Sequence, residues 1–307
     1  MHKPRALQAG DRVAVVAPAS SFARDAFEQG VAELTRLGFV PVFDQDVFAT
    51  ESGYLAGSPE LRAASFMKHW NDPAIAALVA ARGGFGSVHL LPLLAASALK
   101  GLPKLFVGYS DNTSLLSWLT CQCGITALHG PMLEGRLSKG PAGYDERSFL
   151  ALATGERDLE LAPDGLDALR DGEVSGPLFG GTLAQLVASL GTPFAFEPPQ
   201  GCVLFLEDVN ERPFRIDRML TQLRLSGVLG RARALVFGEM RGCDEPGGAV
   251  TAKAVITRMT ADFEGPVVFG FPSGHTTGPC WTLPLGVRVR VITQPRPSIV
   301  IEEAAVE

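Results

Sequence analysis

Short runs of consecutive apolar residues alternate, in the first half of the chain, with longer stretches in which apolar residues recur every three or four positions. The predicted strand at 12–17 is uninterruptedly apolar after Arg12, and so is the run at 75–80, which is typical of strands buried on both faces of a sheet. Between them, residues 24–37 have helical spacing and end at Gly38, a residue favoured just past a helix C-terminus. Further strands are predicted at 39–42, 104–107 and 126–131. A further helix is predicted to begin at Ser58-Pro59-Glu60. The alternation predicts a parallel sheet with helices on both faces.

The amino-acid composition of the chain changes near residue 151. Gly, Asp, Glu and Pro are frequent over 155–177, so we predict an N-terminal α/β domain over 1–154, a linker over 155–172 and a C-terminal domain over 173–307. The C-terminal domain is predicted to mix strands at 202–206, 234–237, 267–269 and within 281–301 with helices near 182–190, 216–223 and 249–263.

Composition narrows the class of protein. The 307 residues are 46% apolar and 20% charged, which is enough apolar material for a large core, and the net charge of −6 argues against a nucleic-acid-binding protein. The sequence contains no run of about 18 apolar residues, so we predict no membrane-spanning helix. The first residues lack the apolar core and cleavage site of a signal peptide, so we expect a cytoplasmic protein.

Cysteine and histidine patterns give no sign of a metal or a disulfide framework. The five cysteines are irregularly spaced without a C-x-x-C pair, and the five histidines include no H-E-x-x-H. We expect reduced thiols, no metal and no cofactor.

A predicted strand, a sharp turn and a predicted helix meet at Gly108-Tyr109-Ser110-Asp111-Asn112. A serine at such a turn projects its hydroxyl from the sheet edge, next to the free N–H groups of the helix N-terminus. The match to G-x-S-x-G is partial, since position 112 is Asn. Ser110 is therefore either a nucleophile or an ordinary helix cap.

A second turn, Arg82-Gly83-Gly84-Phe85-Gly86-Ser87, follows the strand at 75–80. It fails the dinucleotide pattern G-x-G-x-x-G and contains no G-K-[ST], so a phosphate site is disfavoured. The loop either donates a backbone N–H to an oxyanion or makes a tight turn.

Glu207 and His275 also stand just past predicted strands, as Ser110 does. A histidine in hydrogen-bond reach activates a serine, and a carboxylate fixes the tautomer of that histidine. Asp208 and Glu211 are alternative acids, and His129 is the alternative base. Each of these residues also has a purely structural interpretation, because the sequence does not show which of them converge.

Six short motifs, taken in order, resemble one family, the LD-carboxypeptidases, a serine peptidase group that also contains the microcin C self-immunity peptidases. The motifs are Ala81-Arg82-Gly83-Gly84-Phe85-Gly86, Gly108-Tyr109-Ser110-Asp111, His129-Gly130-Pro131, Phe179-Gly180-Gly181, Leu206-Glu207-Asp208, and Gly274-His275 with Leu283-Pro284-Leu285-Gly286. The resemblance extends from Gly10 to Gly286.

The resemblance implies an enzyme that releases a C-terminal D-amino acid, D-alanine, from muropeptide tetrapeptides during cell-wall recycling. The family's catalytic triad would be Ser110, Glu207 and His275, and its oxyanion hole the N–H groups of Asp111 and of Gly84, with Gly83 next in line. The implied fold is an N-terminal parallel-sheet α/β domain of flavodoxin or Rossmann type with a smaller C-terminal mixed α/β domain. The implied protein is a homodimer with its active site between the two domains.

A carboxypeptidase also needs a cation for the terminal carboxylate of its substrate, and Arg82 is the candidate.

Two alternative functions stay open. A microcin-type immunity peptidase would cleave an aminoacyl-nucleotide conjugate, but the short segment between Pro131 and Ala151 has no tryptophan-bearing insertion, which favours a muropeptide. Position 85 is Phe where the family often has Tyr, which does not affect a backbone role. The alternative from another class is a two-domain small-molecule binding protein without catalysis.

Overall fold

Two β-sheets organise the computed structural model, which describes residues 1–95, 99 and 103–307. The strands of the described residues are β1 (Arg12–Val16), β2 (Val40–Val42), β3 (Ile75–Ala80), β4 (Leu105–Gly108), β5 (Ala127–His129), β6 (Leu159–Leu161), β7 (Asp167–Arg170), β8 (Glu173–Thr182), β9 (Cys202–Glu207), β10 (Ala232–Gly238), β11 (Val267–Phe271), β12 (Leu283–Leu285), β13 (Arg288–Ile292) and β14 (Ser298–Ile301). The α-helices of the described residues are α1 (Arg24–Arg36), α2 (Pro59–Asn71), α3 (Thr113–Ser117), α4 (Glu146–Thr154), α5 (Leu183–Ser189), α6 (Pro213–Leu225) and α7 (Ala252–Met259). Short 3₁₀ turns lie at Gln45–Phe48, Ser87–Leu93, Ser110–Asn112, Leu137–Ala142 and Leu229–Arg231, and a π-helical turn at Trp118–Gln122.

The first sheet has the strand order β12-β5-β4-β3-β1-β2. Strands β1 to β5 run parallel to one another, as the uninterrupted apolar runs predicted. All six residues of β3 are buried, which is the burial expected of a strand covered on both faces. The parallel α/β fold predicted for the first half is confirmed.

The second sheet has the order β6-β14-β13-β8-β9-β10-β11-β7. Its centre, β8 to β11, is parallel, and antiparallel strands flank it on both sides, so it is mixed as predicted. The segment predicted to be a linker, 155–172, contains β6 and β7, which pair with β14 and β11. In β6 the buried Leu159 and Leu161 alternate with an exposed glutamate, which makes an edge strand rather than a free connection. The domain boundaries themselves stay a prediction.

One strand from the end of the chain crosses back to the first sheet. Strand β12 lies antiparallel beside β5, with Leu283 opposite His129, although 173–307 was predicted to form a domain of its own. Just before it, Cys280 bridges to Tyr144. One apolar core cluster contains residues of both sheets, among them Phe106 and Phe205. The two halves of the chain therefore share a core.

Within the described residues, no helix combines the length and the apolar character needed to cross a bilayer.

Gly180 gives a test of this packing. Its φ is +141°, and a Cβ added there would lie 1.8 Å from the carbonyl oxygen of Phe205 on the neighbouring strand. We expect Gly180→Ala to reduce the free energy of unfolding by more than about 4 kcal/mol, or to prevent folding, because backbone on both sides has to move. Urea unfolding measures the change.

The matched control is Gly230→Ala. Gly230 has nothing within 4 Å of an added Cβ, so its change should stay within about 0.5 kcal/mol. A Gly180→Ala protein with wild-type stability would show that β8 and β9 do not approach as described.

Candidate active site

Ser110 stands at the strand-to-helix turn that the sequence predicted, directly after β4 and one residue of extended chain. Its φ is +62°, a strained value for a residue with a side chain, and typical of a nucleophile turn. No side-chain capping bond is made at the start of α3, so Ser110 does not act as a cap. Its Oγ lies 3.0 Å from Nε2 of His275.

His275 lies in the loop after β11, and its other ring nitrogen meets Glu207 at the end of β9. The Nδ1 atom is 2.9 Å from one carboxylate oxygen of Glu207 and 3.3 Å from the other. The backbone N–H of His275 also donates to Glu207, at 3.0 Å, which fixes the loop to the acid. The structure thus brings together the three residues Ser110, His275 and Glu207. A hydroxyl, an imidazole and a carboxylate in this order can make the hydroxyl nucleophilic.

The carboxylate of Glu207 is almost fully buried, at 1% exposure. Besides His275, the hydroxyl of Thr182 donates to it. Two glycines make room for it: an added Cβ would lie 2.7 Å from Glu207 Cδ at Gly274 and 2.5 Å from Glu207 Cβ at Gly238. Only a residue without a side chain fits at either position.

Glu207 and His275 each shift the pKa of the other. Burial alone would raise the pKa of Glu207, but the charge and hydrogen bond of His275 outweigh it and lower that pKa to about 2. Burial alone would lower the pKa of His275, but the charge of Glu207 outweighs it and raises that pKa. Glu207 therefore contributes stability above about pH 4.3 that is lost as the pH falls toward 2. His275 contributes stability below about pH 6.5 that is lost as the pH rises through its raised pKa.

The alternative acids face elsewhere. Asp208 accepts hydrogen bonds from the backbone N–H of Ala184, at 2.8 Å, and of Val209, at 2.9 Å, so it serves the first turn of α5. Burial and the neighbouring charge of Glu207 raise the pKa of Asp208 to about 7. Glu211 pairs with Arg215 at 3.0 Å. In this structure neither acid is bonded to His275.

The alternative base, His129, is completely buried below the site. Its Nδ1 lies 2.9 Å from the hydroxyl of Ser273, and its ring packs against Tyr109 and Phe205. Burial lowers the pKa of His129 to about 4, so it stays neutral. Its hydrogen-bonding partner is Ser273 rather than Ser110.

The glycine loop, which we define as residues 82–87, lies in close contact with Ser110. A Cβ added to Gly83 would lie 2.7 Å from Cβ of Ser110 and 3.3 Å from the backbone nitrogen of Asp111. Gly84 has φ +96°, and a Cβ there would lie 2.3 Å from Oγ of Ser20. The loop is fastened to the turn, because the N–H of Ser87 donates to the Asp111 carboxylate at 2.8 Å and the Ser87 hydroxyl donates to the Asp111 carbonyl at 2.6 Å.

Arg82 is already paired. Its Nε lies 2.9 Å from the Glu134 carboxylate, and Nη1 donates to the carbonyl of Ser21 at 2.7 Å. Its backbone carbonyl accepts from the side-chain amide of Asn112, at 3.0 Å, which ties the glycine loop to the helix start.

Two residues around the site were missed by sequence reasoning. Thr182 directly follows the Phe179-Gly180-Gly181 motif, and that position could have singled it out. Arg136 carries no local sequence signal, although it donates hydrogen bonds to the loop that holds His275.

A cavity of about 270 Å³ opens between the two halves of the chain. It is lined by residues of both halves, including Phe85, Thr113 and Phe194, and none of the described residues that line it carries a charge. Among the described residues, no group of three or more His, Cys, Asp or Glu side chains could hold a metal ion.

Known proteins resemble this chain over nearly its whole length. Residues 13–130 match the family description "LD-carboxypeptidase N-terminal domain", and residues 175–291 match "LD-carboxypeptidase C-terminal domain". A Bacillus subtilis protein named "Probable murein peptide carboxypeptidase" is 30% identical over 310 residues, covering 97% of this chain and 94% of the relative. The murein tetrapeptide carboxypeptidase of Pseudomonas aeruginosa is 34% identical over 272 residues, covering 86% and 88%. The solved structure of the microcin C7 self-immunity protein MccF superposes with a TM-score of 0.90, at 25% identity and with both chains fully covered.

The charge of Glu207 predicts a pH dependence that needs no knowledge of the substrate. Only a neutral imidazole can accept the proton of the Ser110 hydroxyl, so labelling of Ser110 by a fluorophosphonate should increase with pH, with its midpoint above about 6.5. In Glu207→Gln the midpoint should move to lower pH, because the charge that raises the pKa of His275 is lost. The labelling rate should also fall. The control Glu211→Gln should leave the midpoint unchanged, and an unmoved midpoint in Glu207→Gln would contradict this electrostatic coupling.

Proposed function

This chain belongs to the LD-carboxypeptidase family, and we propose that it is a serine carboxypeptidase that releases the C-terminal D-alanine from murein tetrapeptides. The observation that carries the proposal is the continuous hydrogen-bonded path from Ser110 through His275 to Glu207. In the proposed triad, Ser110 is the nucleophile, His275 the base and Glu207 the acid that orients it. No metal or other cofactor takes part in the proposed steps.

In the first step, Nε2 of His275 accepts the proton of the Ser110 hydroxyl as Oγ attacks the carbonyl carbon of the scissile L,D peptide bond. Glu207 accepts a hydrogen bond from Nδ1–H and stabilises the imidazolium that forms. The tetrahedral intermediate then breaks its C–N bond, and His275 gives the proton to the leaving nitrogen of the D-amino acid. Water, deprotonated by His275, hydrolyses the acyl-serine ester and restores the hydroxyl.

The proposed oxyanion hole consists of the backbone N–H groups of Asp111 and Gly84, with Gly83 as the alternative to Gly84. The close approach of Gly83 to Ser110 supports a donor from this loop, and the two hydrogen bonds between Ser87 and Asp111 support its rigidity. Donors fixed in advance stabilise the developing charge at no cost of reorganisation, and one such donor is typically worth about 10²–10³ in rate.

Arg82 stays the candidate for the substrate's terminal carboxylate. That role requires the guanidinium to exchange Glu134, at 2.9 Å, for the substrate. Because the Glu134 side chain is itself partly exposed, the exchange keeps both carboxylates solvated or paired.

The family resemblance also supports a homodimer, and recycling of murein fragments supports a cytoplasmic location. The proposed division into domains at 1–154 and 173–307 places Ser110 in one domain and the acid and base in the other.

The test is mass spectrometry of a disaccharide tetrapeptide after incubation with the protein. We expect conversion to the tripeptide with release of D-alanine, and we expect Ser110→Ala and His275→Ala each to reduce kcat by at least about 10³-fold while the fold is kept. Glu207→Gln should be similarly severe, and Asp208→Asn much milder, since Asp208 serves α5.

Near wild-type hydrolysis by Ser110→Ala and His275→Ala would contradict the assignment. A larger loss in Asp208→Asn than in Glu207→Gln would move the acid to Asp208. Labelling of Ser110 by a reactive phosphonate would exclude the alternative of a small-molecule binding protein without catalysis.

The second candidate substrate is an aminoacyl-nucleotide conjugate of the microcin type. The aromatic side chains of Phe85 and Phe194 line the uncharged cavity between the halves, where a nucleobase could stack. Both substrates should be assayed side by side. We expect kcat/KM to be at least about 10-fold higher for the tetrapeptide, a preference of about 1.4 kcal/mol, and the reverse preference would establish the second candidate.

A further inference from the structure

Arg136 is a buried cation beside the candidate active site. Its residue surface is only 7% exposed, and it lies between β5 and α4, in a segment that belongs to the first half of the chain. None of its hydrogen-bond partners in the described residues is a carboxylate. A buried charge that has no carboxylate bonded to it is costly unless all of its donors are satisfied.

The donors of Arg136 are satisfied by the backbone of the loop that carries His275. Nη2 donates to the carbonyl of Gly274 at 2.7 Å and to that of Thr276 at 3.2 Å, and Nη1 donates to the carbonyl of Gly278 at 3.0 Å. Gly274 and Thr276 flank His275 in sequence, and Gly278 follows three residues later. Few other groups could hold a loop at three successive points, since only a guanidinium presents five N–H donors in a rigid plane.

The remaining contacts of Arg136 are with residues of the first half of the chain. Nη1 reaches the carbonyl of Gly143 and Nε the hydroxyl of Tyr109, both at 3.4 Å. Tyr109 directly precedes Ser110, and its ring packs edge-on against the imidazole of His275. One side chain therefore connects the segment that carries the hydroxyl with the loop that carries the imidazole.

We infer that Arg136 is a positioning residue, which holds the His275 loop at hydrogen-bonding distance from Ser110 and places a positive charge beside the imidazole. This inference rests on the proposed function, because it assigns Arg136 to the same reaction. The guanidinium has no need to touch the substrate.

The positive charge of Arg136 also affects the pKa of His275, independently of the hydrogen bonds. Burial is the largest influence on the pKa of His275 and lowers it, while Glu207 and Asp208 raise it. The positive charge of Arg136 lowers the pKa of His275, and so keeps more of the imidazole neutral near neutral pH. Three further titratable groups lie near His275: His129, whose pKa is about 4, Tyr109, whose pKa is about 12, and Glu239, whose carboxylate accepts a hydrogen bond from the backbone N–H of Thr277 at 2.8 Å. His129 and Tyr109 are uncharged near neutral pH, and substitutions of Arg136 leave Glu239 in place.

Two variants separate the hydrogen bonds from the charge. Arg136→Lys keeps the charge but loses the planar fork, and Arg136→Gln loses the charge but keeps an amide with two N–H donors. We expect kcat to fall about 10²-fold in Arg136→Gln and less in Arg136→Lys, with KM unchanged in both, because a small misplacement of His275 impairs the chemical step rather than binding. The acidic limb of kcat/KM should move to higher pH in Arg136→Gln and stay in place in Arg136→Lys.

The matched control is Arg231→Gln. Arg231 also donates to a backbone carbonyl, that of Pro198 at 2.9 Å, but it lies in the turn before β10 and outside the site. It should leave kcat within about twofold and the acidic limb unmoved. Thermal unfolding of each variant shows how much of any loss comes from stability alone.

A folded Arg136→Gln protein with kcat within twofold of wild type would overturn the inference, and so would a loss of kcat with an unmoved acidic limb, which is the result of a merely structural role. If Arg136→Gln does not fold, Arg136→Lys decides, and wild-type kcat in that variant would overturn the inference. If wild type does not hydrolyse murein peptides, the proposed substrate fails. The rate and pH limb of Ser110 labelling by a fluorophosphonate then test Arg136 in the same way.

Discussion

The distance between Ser110 and His275 depends on one stretch of chain that leaves the second sheet and returns to the first. After His275 the backbone of Cys280 pairs with the backbone of Tyr144 in an isolated β-bridge. The chain then enters the first sheet as β12, beside β5. The hydroxyl comes from the end of β4, which is the neighbour of β5 in the same sheet. The imidazole is therefore held against the serine by pairing within the first sheet, although the two residues are 165 positions apart.

Burial of the Glu207 carboxylate is the second constraint, and it explains much of the local sequence. A carboxylate at 1% exposure has to be compensated, and the donors are the imidazole, one backbone N–H and the hydroxyl of Thr182. Space for these contacts exists because Gly238 and Gly274 lack side chains. The result is a pair in which each member stabilises the charged form of the other, so the ionic state of the site is set by packing as much as by solvent.

The three site residues lie at or just past the end of a strand, and the strands belong to two sheets. Ser110 follows β4 of the first sheet, whereas Glu207 ends β9 and His275 follows β11 of the second. Ligands of parallel α/β sheets bind at these carboxyl ends, where loops can vary without disturbing the strands. The shared core and the returning β12 keep the two edges face to face, which is what a site divided between two sheets requires.

Local patterns in the sequence determined the buried parallel strands, the turn at Ser110 and the positions of Glu207 and His275 at strand ends. They did not choose between Glu207 and Asp208, because adjacent residues at the end of a strand point to opposite sides, and only the packed structure shows that one meets the imidazole and the other meets α5. They also could not distinguish His275 from His129, show that β6 and β7 lie within the predicted linker, or indicate Arg136. Those outcomes depend on which distant segments pair, and pairing between segments is decided by burial of the whole core rather than by any one stretch of chain.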